Sequence, residues 1–145
     1  MITIPDSNKL LQFLCAVDHD FPIAVSSKTD LKELAEKYCK YADLCCEYSN
    51  EEIIAVVAGY TENTPSNIAY ISLVAVKKEA RGKGLASKLI LQFLEFASSK
   101  GLKGVHVYTH SQNSNAIKMY EKLGFVPYHP ENESRPNDVH FVIWF

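Results

Sequence analysis

The chain has 145 residues, 47% of them apolar, and a formal net charge of −2. A chain this long buries roughly 70% of its unfolded surface without staples, so residues 1–145 are expected to form a single domain. The near-balanced charge supplies no field for nucleic acid or an anionic membrane surface, and neither is expected as a partner.

Asp6 or Ser7 is placed to cap a first helix running to about Val17, with Leu10, Leu11 and Leu14 on its apolar face. Asp18-His19-Asp20-Phe21-Pro22 follows as a loop. Thr29 or Asp30 opens a second helix to about Tyr41, in which Leu31, Leu34, Ala35 and Tyr38 recur at helical spacing. Leu44 to Tyr48 reads as a short strand, Ser49 to Glu52 as a turn and Ile53 to Tyr60 as a second strand, which makes a hairpin. Thr61 to Asn67 contains Pro65 and no periodicity, so it is a loop, and Ile68 to Val76 is the third strand of an antiparallel meander. A long apolar helix from Leu85 to about Lys100 stops at Gly101. In the next strand Val105, Val107 and Thr109 alternate with His106, Tyr108 and His110. A further helix spans about Asn113 to Leu123, with Gly124 as its stop. Phe125 to Tyr128 and Val139 to Phe145 read as closing strands on either side of the polar loop His129 to Asp138. The apolar end, Phe141 to Phe145, reads as core rather than interface.

This order predicts a mixed α/β layer fold with a parallel step where the long helix crosses over. No apolar run approaches the ~18 residues of a membrane span. The start, Met1 to Asp6, has no basic residues and no signal-peptide core, so no membrane association is expected and a cytoplasmic location is the default. The four cysteines, Cys15, Cys39, Cys45 and Cys46, fit no CxxC or Cys/His zinc spacing. Cys45 and Cys46 would point to opposite faces of one strand, a poor arrangement for one metal. All four are expected to be reduced structural thiols.

The most informative stretch is Arg81-Gly82-Lys83-Gly84-Leu85-Ala86, between the apolar strand and the long helix. Glycines let a backbone approach a ligand closely, and the N–H groups of a helix's first turn point at an anion. The helix dipole and the cations Arg81 and Lys83 add to the attraction. The turn is therefore a candidate phosphate cradle. A P-loop would need GxxxxGK followed by Ser or Thr, which is absent. A dinucleotide fingerprint would need Gly or Ala where Ser87 stands, and a βαβ start where this chain has a meander.

The pattern Arg81-x-x-Gly84-x-Ala86, between a β-meander and a long helix, resembles the GCN5-related N-acetyltransferase (GNAT) family. A second signature of that family lies downstream in Asn113-x-x-Ala116-Ile117-x-x-Tyr120-x-Lys122-Leu123-Gly124-Phe125. The two motifs cover about Leu73 to Phe125, separated by one helix and one strand as in the family. The resemblance implies a GNAT-like fold: two N-terminal helices, an antiparallel meander, a crossover helix, splayed central parallel strands, a C-terminal helix and a closing hairpin. Of the family's usual first strand, Met1 to Ile4 can supply at most a stub.

The resemblance also implies acetyl-CoA as cosubstrate, with no metal. The pyrophosphate would sit on the backbone N–H groups of Gly82, Lys83, Gly84, Leu85 and Ala86, and the pantetheine arm would pair with backbone near Val74 and Val76 in the manner of an added strand. Asn113 and Tyr120 are two helical turns apart and share a face with Ala116 between them. By resemblance Asn113 contacts the cofactor arm and Tyr120 donates a proton to the leaving sulfur; Asn113 can also serve as the helix N-cap. The implied reaction is attack by a neutral amine on the thioester, with backbone N–H groups near Val74 as an oxyanion hole. Many family members carry a carboxylate in the middle of the strand before the glycine turn. Counting back from Arg81 puts that position at or near Tyr70, and no Glu or Asp lies between Ile68 and Val76. The base is therefore open between His110, whose pKa range suits the task, and a water relay.

On the acceptor side the family fold would bring together Asp18, His19, Asp20 and Phe21 with Glu131, Glu133 and Asp138, acid groups beside an aromatic that could bind a cationic amine. The expected partner is a small-molecule amine or a peptide, and a second copy of the chain is another, since the family often dimerises. A non-catalytic acyl-CoA-binding or sensing domain on the same fold is the alternative. The missing strand carboxylate favours it and Tyr120 speaks against it.

Overall fold

The computed structural model describes residues 2–130 and 135–145. Strand β1 (Ile2–Thr3) pairs antiparallel with β2 (Asp43–Ser49), so the expected stub does form a strand. Helix α1 (Ser7–Val17) is capped by Asp6, whose carboxylate accepts from the N–H groups of Asn8 and Lys9. Helix α2 (Leu31–Tyr41) is capped in the same way by Asp30 through the N–H of Glu33. Then come β3 (Glu52–Tyr60), β4 (Ile68–Val76), α3 (Leu85–Ser99), β5 (Gly104–His110), α4 (Ser114–Lys122), β6 (Val126–Pro127) and β7 (Asp138–Trp144). The seven strands lie in the order β1-β2-β3-β4-β5-β7-β6, all antiparallel neighbours except the parallel pair β4–β5. This is the mixed α/β architecture that the element order predicts. β6 is shorter than expected: Phe125 turns into the core, and Pro127, which has no N–H to donate, sits on the sheet edge where that costs least.

The sheet buries both faces. On one side α3 and α4 pack Leu89, Ile90, Phe93 and Tyr120 onto Ala55, Val57, Ile71, Val105 and Phe141. On the other, α1 and α2 pack Leu10, Phe13, Leu14, Ala35 and Tyr38 onto Leu44, Val56, Ala58, Leu73 and Ala75. Cys45 belongs to the first core and Cys46 packs against the second, as their adjacency in a strand requires. All four cysteines are free thiols, and burial pushes Cys45 and Cys46 up to about 11. The apolar C-terminus divides: Phe141 and Val142 are buried, while Trp144 and Phe145 are half-exposed.

One irregularity shapes the centre of the sheet. Ala58 opposes Leu73 and Gly59 opposes Ile71, so Ser72 is an extra residue, a β-bulge in β4. The bulge reverses the alternation. Before it Ala69 and Ile71 face α3; after it Val74 and Val76 do, and Leu73 and Ala75 turn to the α1–α2 side. Gly59 stands opposite the bulge because no side chain fits there: a Cβ would overlap the Phe93 ring and come within 2.7 Å of the Tyr70 carbonyl oxygen. Gly59→Ala is accordingly expected to destabilise the fold by about 1–3 kcal/mol, measured as a lowered urea midpoint at unchanged m-value.

Candidate active site

The bulge opens the sheet. β4 pairs with β5 only from Ile68 to Ile71, opposite Gly104 to Val107, while β5 continues along β7 to His110. Beyond Ile71 the two central strands part, leaving the edge of β4 from Ser72 to Val76 without a strand on its β5 side. This is the splay that the family resemblance implies, and two cavities open on it.

The first cavity, about 430 Å³, is lined by Val74, Val76, Arg81, Gly82, Gly84, Leu85, Ala86, Asn113 and Ala116, so nine of the expected cofactor-binding residues come together there. Lys83 is exposed and is not among the lining residues. Gly84 is the N-cap of α3 with φ of +73°, a left-handed conformation that a Cβ disfavours, and nothing lies within 4 Å of where that Cβ would be. No side chain caps this helix and its first turn holds no acid. The first turn of α3, whose leading N–H groups have no helical partner, therefore lines this cavity at the positive end of the helix dipole. Arg81 is held from two sides: its Nε donates to the Val76 carbonyl at 3.1 Å and its Nη2 to Asp20 at 2.7 Å. It fastens the glycine turn to β4 and to the segment after α1. Sequence reasoning missed Ser87 and Asn115, which also line this cavity; both lie in the first turns of the two helices whose starts the motifs mark.

The second cavity, about 340 Å³, shares Phe21, Val74, Asn113, Ala116 and Met119 with the first and extends away from the glycine turn. Asn113 Oδ1 accepts from the Ala116 N–H at 3.3 Å, so Asn113 is the N-cap of α4 and also lines both cavities. Tyr120, two turns on, is 3% exposed, packs its ring against Phe125 and Phe141, and lines the second cavity. Burial pushes its phenol well above the ordinary value of 10.0. The Tyr38 hydroxyl lies 2.8 Å from the Ser72 Oγ, and burial raises this phenol too, against the opposing effect of that hydrogen bond.

His110 also lines the second cavity. Its Nδ1 accepts from the Gln112 N–H at 3.1 Å, so in the neutral ring the proton sits on Nε2. Tyr70 occupies the position where a strand carboxylate was sought, lining the cavity with its ring centroid 5.0 Å from that of His106.

Of the three described acids expected around the acceptor, two are engaged elsewhere. Asp18 is buried and its carboxylate accepts from the Ser26 N–H at 2.8 Å and the Ser26 Oγ at 2.5 Å; these bonds hold it below the usual carboxylate range. His19 is exposed and Asp20 is tied to Arg81. Phe21 does line both cavities. Glu131 and Glu133 lie outside the described residues. Asp138 is the one carboxylate among the described residues of the second cavity, and it pairs with Arg135 at 3.6 Å. Among the described residues no group of three His, Cys, Asp or Glu side chains is placed to hold a metal, and no helix is long and apolar enough to cross a membrane.

Comparison with known proteins agrees with this geometry. A model of the Acetyltransferase (GNAT) family matches residues 12–125. Mycothiol acetyltransferase of Actinosynnema mirum is 36% identical over 66 residues, 46% of this chain and 22% of that protein. The chain thus spans about a fifth of the length of that relative. N-alpha-acetyltransferase 30 of Schizosaccharomyces pombe is 29% identical over 141 residues, 88% of this chain and 86% of that protein. Among solved structures, a GNAT family acetyltransferase from Elizabethkingia anophelis with acetyl-CoA bound superposes with a TM-score of 0.64 at 19% identity, over 79% of this chain and 83% of that one.

Proposed function

The chain belongs to the GNAT acetyltransferase family, and on that footing we propose that it is an acetyl-CoA-dependent N-acetyltransferase that moves the acetyl group to a primary amine by direct attack on the thioester. The observation that carries this reading is that the two cavities share Val74, Asn113 and Ala116 in their walls, one being lined by the uncapped start of α3 and the other by Tyr120.

In this reading the N–H groups of Gly82, Lys83, Gly84, Leu85 and Ala86 hold the pyrophosphate. Val74 and Val76 offer their backbone on the unpaired side of β4 to the pantetheine arm, and Asn113 and Ala116 flank it. The Val74 N–H side of the gap polarises the thioester carbonyl. An amine enters from the second cavity, whose lining includes Tyr38, Tyr70 and Ser72, and attacks the carbonyl carbon, the C–S bond breaks, the sulfur takes up a proton from Tyr120, and water in the cavity returns a proton to Tyr120. The amine's proton passes to water in the hydroxyl-lined cavity. His110, with Nε2–H directed by its bond to Gln112, is better suited to donate than to take that proton.

Release of free thiol from acetyl-CoA in the presence of a mixed panel of amines tests the reading: turnover with at least one amine is expected. Tight CoA binding with no turnover on any amine would favour the sensing domain, and no CoA binding would remove both.

A further inference from the structure

The charged lining of the acceptor cavity does not suit a polycation. Its described cations are Lys28 and Arg135, and its described carboxylate, Asp138, is paired with Arg135. Of the described acids that the sequence offers for binding an ammonium group, Asp18 is engaged by Ser26, Asp20 by Arg81 and Asp138 by Arg135. A polyamine or an aminoglycoside carries several ammonium groups and would bring them against these cations, with the one described carboxylate already paired to Arg135.

The cations are set for an anion. The Arg135 guanidinium carbon lies over the Tyr108 ring, 3.9 Å from its centroid, and its contact with Asp138 uses Nη1. A guanidinium whose face is stacked keeps a fixed plane, and its remaining N–H edge can meet a carboxylate in the two-pronged geometry that this group favours. Lys28 follows the turn Val25–Ser27, which the buried Asp18 carboxylate anchors through Ser26. Lys28 itself is exposed and lines the cavity. The same cavity is also lined by Ser72, Val74 and Tyr120, where the transfer would occur. At about 340 Å³ the cavity is at the small end of the range for ligand sites.

Resting on the transferase reading above, we infer that the acceptor is a small primary amine that also carries a carboxylate, an amino acid or a compound built like one, with the carboxylate held by Arg135 and Lys28 and the amine directed at Val74 and Tyr120.

The test has two readouts. Thiol release from acetyl-CoA is measured with the twenty protein amino acids, their carboxamides, spermidine and kanamycin. Binding of the same compounds to the CoA-saturated protein is measured by calorimetry, which needs no turnover. The best acid is expected to exceed its own carboxamide by at least about tenfold in kcat/KM and in affinity, and to exceed both polycations. Arg135→Gln and Lys28→Gln are expected to lower kcat/KM for the acid through KM, about tenfold more than for the carboxamide. Equal use of acid and carboxamide, a preference for spermidine or kanamycin, or no measurable binding of any acid would overturn the inference. Carboxylate-dependent binding without thiol release would overturn the transferase reading and leave only the carboxylate site at Arg135 and Lys28 standing.

Discussion

Tyr120→Phe is expected to lower turnover by about 10²-fold while the affinity for acetyl-CoA stays within about twofold. The ring is 3% exposed and lies against Phe125 and Phe141, at centroid distances of 5.3 and 5.9 Å. Phenylalanine keeps that packing and deletes only the hydroxyl. Burial keeps the phenol protonated throughout the neutral range, since its pKa stands above the ordinary 10.0. Tyr120 therefore acts as a donor whenever the sulfur departs, and contributes no descending limb to the pH profile of kcat below about pH 10. The hydroxyl contributes when the thiolate develops, so its loss appears in kcat and not in binding. Thiol release at saturating acetyl-CoA measures the first quantity and calorimetry the second. Unchanged turnover would remove Tyr120 from the mechanism, and loss of both quantities together would assign it a structural role.

The same residue illustrates what a sequence can carry. Asn113, Ala116 and Tyr120 share a helix face by spacing alone, and the fold turns that face onto the cavities. Asp6 and Asp30 announce the starts of α1 and α2 because capping is local chemistry, satisfied within three residues. The bulge at Ser72 is different. It exists only in the pairing of β4 with β3, where Gly59 makes room for Phe93 from a third element. In one dimension Ile71 to Val76 is simply an apolar run; its trace of the bulge is that the alternation begun at Ala69 and Ile71 resumes one residue out of step at Val74 and Val76. The acids were misjudged for a related reason. A sequence shows that Asp18 and Asp20 are charged but not what they face: Ser26 engages one, eight residues on, and Arg81 the other, sixty-one residues on. With those two engaged the described balance at the acceptor end passes to Lys28 and Arg135, which composition does not single out.

The glycine turn gives the second large effect. Gly84→Asp is expected to weaken CoA binding by about 10²-fold, with a far smaller change in stability. Asp tolerates the left-handed backbone better than most residues, and at Gly84, with φ of +73°, nothing lies within 4 Å of the new Cβ. The fold has no steric reason to resist. The carboxylate would instead stand at the uncapped start of α3, competing for the N–H groups assigned to the pyrophosphate and adding a like charge beside it. Two unit charges about 4 Å apart near a protein surface interact by about 4 kcal/mol. Solvent screening reduces that, and ~2.7 kcal/mol corresponds to a hundredfold. Gly84→Ala is the control: it adds the backbone strain of about 1–2 kcal/mol without the charge, so it should lower the urea midpoint more than Gly84→Asp does while binding CoA more tightly. Calorimetry with CoA and urea titrations of both variants separate the two effects. If Gly84→Asp binds CoA as the parent does, the phosphates do not rest on this turn, and the donor site must be sought elsewhere along the parted edge of β4.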